Sequence, residues 1–311
     1  MAHRTIVLLF GLTLIASACG SDVVDDGRGP ASEQLSVTTT EPPVSVTTAS
    51  PAGPRSTASS PDHTTVSVYL FLDDVTATNR PGPFLVPVAR SVPKTTDGVA
   101  AALEALLKGP TAAEADSIPA LSTAIPANTL LLGVSIADGV ATVDLSRQYE
   151  AGGGSASMFG RLAQVVYTMT GFPTIESVTF LLDGQPVTVF SGEGILLEEP
   201  VDRNDYLDLV PGILVEEPAY GGVLDNPARV TGIAAAFEAT FRIAITDYDG
   251  RILVENRVMT DNGMGWGDFD ETIPYEVDTP QRGSLIVWEN SAKDGSRINI
   301  REHPVWLTPA P

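Results

Sequence analysis

The sequence predicts two folded domains of different class, an α+β domain with two helices on a mixed sheet and then an all-β sandwich. Three observations predict it. Helical periodicity occurs twice, near 96–108 and 157–170, and not after residue 200. Period-two alternation punctuated by Gly, Pro, Asn and Asp dominates beyond residue 236. Large apolar residues are almost absent from 20 to 65, so that stretch cannot bury enough surface to offset its ordering entropy.

In the first folded region, Val66, Val68, Leu70 and Leu72 alternate with Ser67, Tyr69, Phe71 and Asp73, which reads as a strand. Phe84 to Val92 reads as a second strand, and Pro87 within it favours an edge position or a bulge. Val99, Ala102, Leu103, Leu106 and Leu107 follow helical spacing, with Asp97 in the first turn and Gly109-Pro110 as the stop. Strands at Leu130 to Ile136 and Val140 to Leu145 are joined by Asp138-Gly139, a tight-hairpin signal. A second helix carries Phe159, Leu162, Ala163, Val166 and Tyr167 on one face. Strands at Ser177 to Leu182 and Pro186 to Phe190 follow, around Asp183-Gly184.

Asp202 to Val210 is acidic with few core residues and reads as a junction. Beyond it, Phe237, Ala239, Phe241, Ile243 and Ile245 alternate with polar residues up to the turn Asp247-Tyr248-Asp249-Gly250. Strands at Ile252 to Val258, Phe269 to Tyr275, Ser284 to Glu289 and Arg297 to Leu307 follow, and about seven short strands in roughly 100 residues is the density of an immunoglobulin-like sandwich. The expected organisation is a leader at 1–18, a lipidated cysteine and tether at 19–65, the α+β domain at 66–200, a junction at 201–210 and the sandwich at 211–311.

The leader combines Arg4, an apolar run from Ile6 to Ile15 and the small residues Ala16-Ser17-Ala18, which is a secretory signal too short to span a bilayer. Ala16-Ser17-Ala18-Cys19 resembles the lipobox of bacterial lipoproteins. The resemblance implies a diacylated Cys19 as the first mature residue. Ordinary cleavage would instead leave a lone thiol in an oxidising compartment. Lipidation places the protein on the extracytoplasmic face of the cell membrane, since two or three acyl chains anchor firmly where one is marginal. The Ser/Thr/Pro-rich tether that follows would reach on the order of 35–40 Å as a flexible coil.

Cleavage before Cys19 removes one basic and no acidic residue, leaving 17 basic against 39 acidic residues and a formal charge of −22. That charge disfavours nucleic acid and anionic headgroups as partners. Cys19 is the only cysteine, so no intramolecular disulfide forms, and of three histidines only His303 lies in the expected folded sequence. Cys/His zinc sites, and a Ser/His/Asp triad in the first domain, are excluded by inventory. No metal and no cofactor is expected.

The first region resembles the GerM-type (GerMN) domain of sporulation and spore-germination proteins, through Val68-Tyr69-Leu70, Leu85-Val86-Pro87-Val88-Ala89-Arg90, Leu106-Leu107-Lys108-Gly109-Pro110-Thr111, Ala124-Ile125-Pro126, Val143-Asp144-Leu145-Ser146 and Tyr167-Thr168. The second resembles the immunoglobulin-like domain that accompanies it in bacteria, through Val230-Thr231-Gly232, Ala236-Phe237-Glu238-Ala239, Asp249-Gly250 and Glu289-Asn290-Ser291-Ala292-Lys293-Asp294-Gly295-Ser296. The resemblance implies a non-catalytic envelope lipoprotein that binds other envelope proteins or itself, and it supplies no catalytic residue. The alternative is a cell-wall polysaccharide-binding protein or peptidoglycan-acting enzyme.

Several residues that could carry chemistry also fit plain structural roles. Asp247-Tyr248-Asp249-Gly250 with Glu255 lacks the third acidic ligand and the spacing of a calcium loop and reads as a hairpin tip. Lys293 amid Asn290 to Ser296 favours a turn. Gly152-Gly153-Gly154-Ser155 has no Walker or dinucleotide context and reads as a flexible loop with a Ser cap. Asp144, Glu150 and Asp183 offer paired carboxylates, as any chain with 39 acids must. His303 reads as a surface or edge residue. Trp266, in a Gly-rich loop, is either an exposed sugar or protein anchor or a side chain buried under the sandwich. The leader generates one expectation: Cys19→Ala moves the protein from the membrane to the soluble fraction on cell fractionation, and unchanged membrane association contradicts lipid anchoring.

Overall fold

The first described strand begins at His63, not Val66, so the last residues of the expected tether belong to a strand that pairs His63 with Pro93. The computed structural model describes residues 62–73, 82–94 and 97–311. The leader, Cys19 and the rest of the tether lie outside the described residues.

The first domain runs β1 (His63–Leu72), β2 (Phe84–Pro93), α1 (Gly98–Leu107), α2 (Ala112–Ala115), β3 (Leu121–Ser122), β4 (Leu131–Ala137), β5 (Val140–Leu145), α3 (Ser155–Met169), β6 (Ser177–Leu182), β7 (Gln185–Pro186), β8 (Val189–Phe190) and β9 (Ile195–Leu196). Two sheets, ordered β2-β1-β3 and β4-β5-β6-β7, stand where one mixed sheet was expected, beside the small pair β8-β9. The second is mixed: β4 and β7 pair antiparallel, while β5 and β6 are parallel and joined through α3. A parallel pair needs such a crossover. Asp138-Gly139 and Asp183-Gly184 take positive φ in consecutive positions and close the two hairpins.

α1 starts where the Asp97 carboxylate accepts from the Ala100 N–H, and ends where Gly109 enters the left-handed region at φ 69°. Thr111 then caps a helix that the sequence pattern did not predict, the single turn α2. Thr111 and Glu114 form a capping box, and Arg90 holds both oxygens of Glu114 at 2.8 Å. α1 and α3 pack on each other and touch both sheets. Leu103, Leu106, Leu162, Val166, Val143 and Phe180 are buried in the core between them.

α3 also completes a strand edge. β3 pairs with β1 only at Phe71 and Leu72. At Tyr69 the exposed backbone edge is met by side chains instead: Tyr69 N–H donates to Thr168 Oγ1 at 3.0 Å, and Gln164 Nε2 donates to the Tyr69 carbonyl at 2.9 Å. Gln164 and Thr168 are buried polar residues because they close this ladder.

The acidic junction is ordered. Asp202 and Asp205 form a capping box opening a 3₁₀ segment, Arg203–Leu209, and Tyr206 and Val210 enter the first core. The second domain then runs β10 (Ile213–Glu217), β11 (Val223–Leu224), β12 (Ala228–Ala234), β13 (Thr240–Asp247), β14 (Ile252–Met259), β15 (Gly267–Ile273), β16 (Gln281–Asn290) and β17 (Arg297–Leu307). Sheets β10-β12-β15 and β11-β17-β16-β13-β14 face each other as a sandwich. Phe241 and Phe269 meet edge to face between them, 4.9 Å apart. β13 begins at Thr240, because Phe237–Ala239 form a 3₁₀ turn with Glu238 and Ala239 at φ 53° and 57°. Phe237 is therefore 62% exposed and not the core residue that alternation suggests. Among the described residues no helix is long and apolar enough to cross a membrane.

Candidate functional site

A half-buried ion pair and two buried tyrosines lie together where the two domains meet. Pro87 explains why the contact is there. It stands opposite Tyr69 in the β1–β2 ladder, whose backbone groups at that position turn toward α3, so the missing proline N–H costs no ladder bond. β2 is the outer strand of its sheet, as Pro87 leads one to expect. The Pro87 carbonyl faces outward and accepts from Tyr220 N–H at 2.8 Å, while Val88 and Tyr220 form a parallel bridge. A loop of the second domain thus adds one rung to the first domain's sheet.

Beside that rung, Arg203 is enclosed. Its Nη1 meets Glu216 Oε1 at 2.5 Å, its Nε donates to Thr170 Oγ1 at 2.7 Å, and its guanidinium lies 5.0 Å and 5.7 Å from the ring centres of Tyr167 and Tyr69. Tyr69 donates its hydroxyl to the same Glu216 oxygen at 2.5 Å. Burial, and then the Glu216 charge, hold the Tyr69 phenol well above its ordinary range, so it remains a donor. The Arg203–Glu216 pair keeps about a fifth of each side chain exposed, 23% and 22%, and a charged hydrogen bond of this kind contributes ~1.5–3 kcal/mol. Apolar surface closes the rest: Leu214 of β10 is buried in the first domain's core, and Ile233, Tyr220 and Trp266 pack against it half-buried. Arg301 of β17 covers the Phe84 ring at 4.9 Å.

Trp266 therefore belongs to the domain contact, and its loop exposes Met264 instead, at 99%. His303 is buried rather than at the surface, with Nε2 2.8 Å from the Pro218 carbonyl and its ring edge-on to Tyr220. The candidate carboxylates hold turns: Asp144 accepts from Gly184 N–H, Asp183 from Arg147 N–H, and Glu150 pairs with Arg147. Asp247 accepts from Asp249 N–H, Arg251 N–H and Arg251 Nε, which makes the hairpin tip self-contained. Asp294 likewise accepts from Ser296. No group of His, Asp or Glu suited to a metal occurs among the described residues.

At Gly152–Gly154 the anticipated Ser cap is absent, since Ser155 bonds Glu193 and α3 begins without a side-chain cap. The loop is held from inside by Arg161, a buried residue that sequence reading did not single out. It donates to the carbonyls of Tyr149 at 2.5 Å and Gly152 at 3.0 Å. Its only sequence signal is a cation at i+4 from Ser157 on an apolar helix face.

Residues 67–188 match the family described as Germane, sporulation and spore germination, and residues 212–296 match Gmad2, the immunoglobulin-like domain of bacterial spore germination. The chain pairs a Germane domain with a Gmad2 domain. Among solved structures it is similar to the tandem GerMN domains of the sporulation protein GerM from Bacillus subtilis, with 17% identity, 68% of this chain and 61% of that chain covered, and a TM-score of 0.40. The chain thus spans about three fifths of that tandem pair. The first GerMN domain of the same protein aligns at 19% identity over 46% of this chain and 99% of that one, TM-score 0.37. CopC from Methylosinus trichosporium OB3b aligns at 16% identity over 31% and 94%, TM-score 0.21. No curated protein matches the chain.

Where the Gmad2 domain meets the Germane domain, burial lowers the His303 pKa from 6.5 to about 4. The folded protein therefore refuses a proton that the unfolded chain accepts below pH 6.5. Stability from this residue is intact above pH 6.5 and declines as pH falls toward 4, by about 3 kcal/mol in all. Urea unfolding at pH 7.5 and 4.5 is expected to show a smaller acid loss for His303→Gln than for the wild type, and equal losses contradict the assignment.

Proposed function

We propose that the chain is a non-catalytic, lipid-anchored module on the extracytoplasmic face of the membrane, binding another envelope protein through the Germane domain. The observation that carries this reading is β4. It is the outer strand of its sheet, and among the described residues nothing pairs with its free edge. A bulge between Leu131 and Gly133 turns extra apolar surface outward. Leu130, Leu132 and Ile136 are 59%, 50% and 43% exposed along it. Open edges are normally blunted with charge or cover, because unpaired N–H and C=O groups recruit another strand. β4 carries no charged residue at all. An extended segment of a partner would gain ladder hydrogen bonds and bury these three side chains, the usual chemistry of strand addition.

The families support an envelope role of the sporulation and germination type, and the lipobox-like Cys19 supports the anchoring. The test is in-cell photocrosslinking from Ser135, which is exposed on β4. A defined protein adduct is expected, and Leu132→Lys with Ile136→Lys should reduce it at least ~10-fold, since both sites are exposed and the fold is kept. An adduct of unchanged yield in the double variant overturns the reading.

A further inference from the structure

We propose that the outer face of the Gmad2 sandwich holds an uncharged β-linked aminosugar chain, in a groove over β16 and β17. The groove encloses about 610 Å³ and is walled by Gly221 on one side and the Asp247–Gly250 turn on the other. Its main feature is a row across the sheet. Arg282 stands opposite Trp306, Trp306 lies beside Val223, and Tyr248 follows Asp247, the partner of Gly283, so it is level with Arg282. Neighbouring strands are ~4.8 Å apart, which sets Tyr248 and Trp306 two strands, or ~10 Å, from each other.

Two other observations separate this row from the rest of the face. Trp288, also on β16, is buried and covered by the Arg297 guanidinium at 4.2 Å. Trp306 is only half-buried, and among the described residues no ring or guanidinium lies over it. Arg282 is exposed and has no ion-pair partner among the described residues, in a chain with 39 acids. The groove's own carboxylates are already engaged: Asp247 holds its turn, and Glu302 accepts from Ser284 at 2.6 Å. What remains open is two aromatic rings with a fork of donors between them.

That combination fits an extended glycan. The C–H face of a β-pyranose is apolar and packs on an aromatic ring, while its equatorial substituents need hydrogen-bond partners at the rim. Alternate sugars of a β-1,4-linked chain would lie on Tyr248 and Trp306, and the sugar between would offer an acetamido carbonyl to Arg282. The charges of Asp247 and Glu302 beside the row disfavour an acidic glycan.

The test is calorimetric titration of the full chain with penta-N-acetylchitopentaose. Binding is expected, weakened at least ~10-fold by Tyr248→Ala and by Arg282→Ala and unchanged by Met264→Ala. Tyr248 is 71% exposed, so its removal leaves the fold intact. The β4 double variant should bind the glycan as the wild type does, which keeps this site's outcome separate from that of the Germane edge. Absence of binding at millimolar sugar, or wild-type affinity in Tyr248→Ala or in Arg282→Ala, overturns the proposal.

Discussion

The arrangement of the molecule depends on one constraint: the first domain cannot complete its own outer sheet. β2 carries Pro87, which leaves an outward carbonyl on an edge strand, and side chains of the second domain pack on the first domain's core. The second domain supplies what is missing. Tyr220 donates to Pro87, Leu214 enters the first core, and Glu216 neutralises Arg203 while accepting from Tyr69. Removing Glu216 leaves the Arg203 guanidinium and the buried Tyr69 hydroxyl without their shared acceptor, which is costlier than losing an exposed contact. The junction is short and ordered for the same reason, with Tyr206 and Val210 already part of the first core before β10 begins.

Local chemistry was the readable part of the sequence. Asp138-Gly139 and Asp183-Gly184 closed hairpins as two-residue turns demand, Asp97 capped a helix, and alternation from Phe241 onward built a sandwich strand. Pro87 gave the position of an edge. What could not be read was set by distant partners. His303 is buried because Tyr220 and Pro218, more than 80 residues away in the chain, fold over it. Phe237 matched the alternation but falls on a turn whose N–H is fixed by Glu289 from another strand. β12 was missed because Gly232 breaks its pattern. The glycine is required there, since a Cβ would sit 2.0 Å from the Leu214 carbonyl of the neighbouring strand.

The candidate sites divide in the same way. Paired carboxylates and glycine runs attract notice in a sequence, yet each of them is engaged with a backbone group or a neighbouring side chain nearby. The surfaces left with unmet chemistry are an uncharged sheet edge on one domain and an aromatic row on the other. Neither has a motif. β4 is recognisable only once its free edge is known, and Tyr248, Arg282 and Trp306 come from three separate strands or turns that meet only in the folded sheet. The contact through Leu214, Glu216 and Tyr220 joins the domains that carry these two surfaces.

Differential scanning calorimetry of the full chain at neutral pH reads whether the two domains depend on each other. A first domain whose core is completed by Leu214 of the second should unfold together with it, in one transition whose calorimetric and van't Hoff enthalpies agree. Two resolved transitions, or a van't Hoff enthalpy well below the calorimetric one, would show that the domains fold independently and would contradict the account.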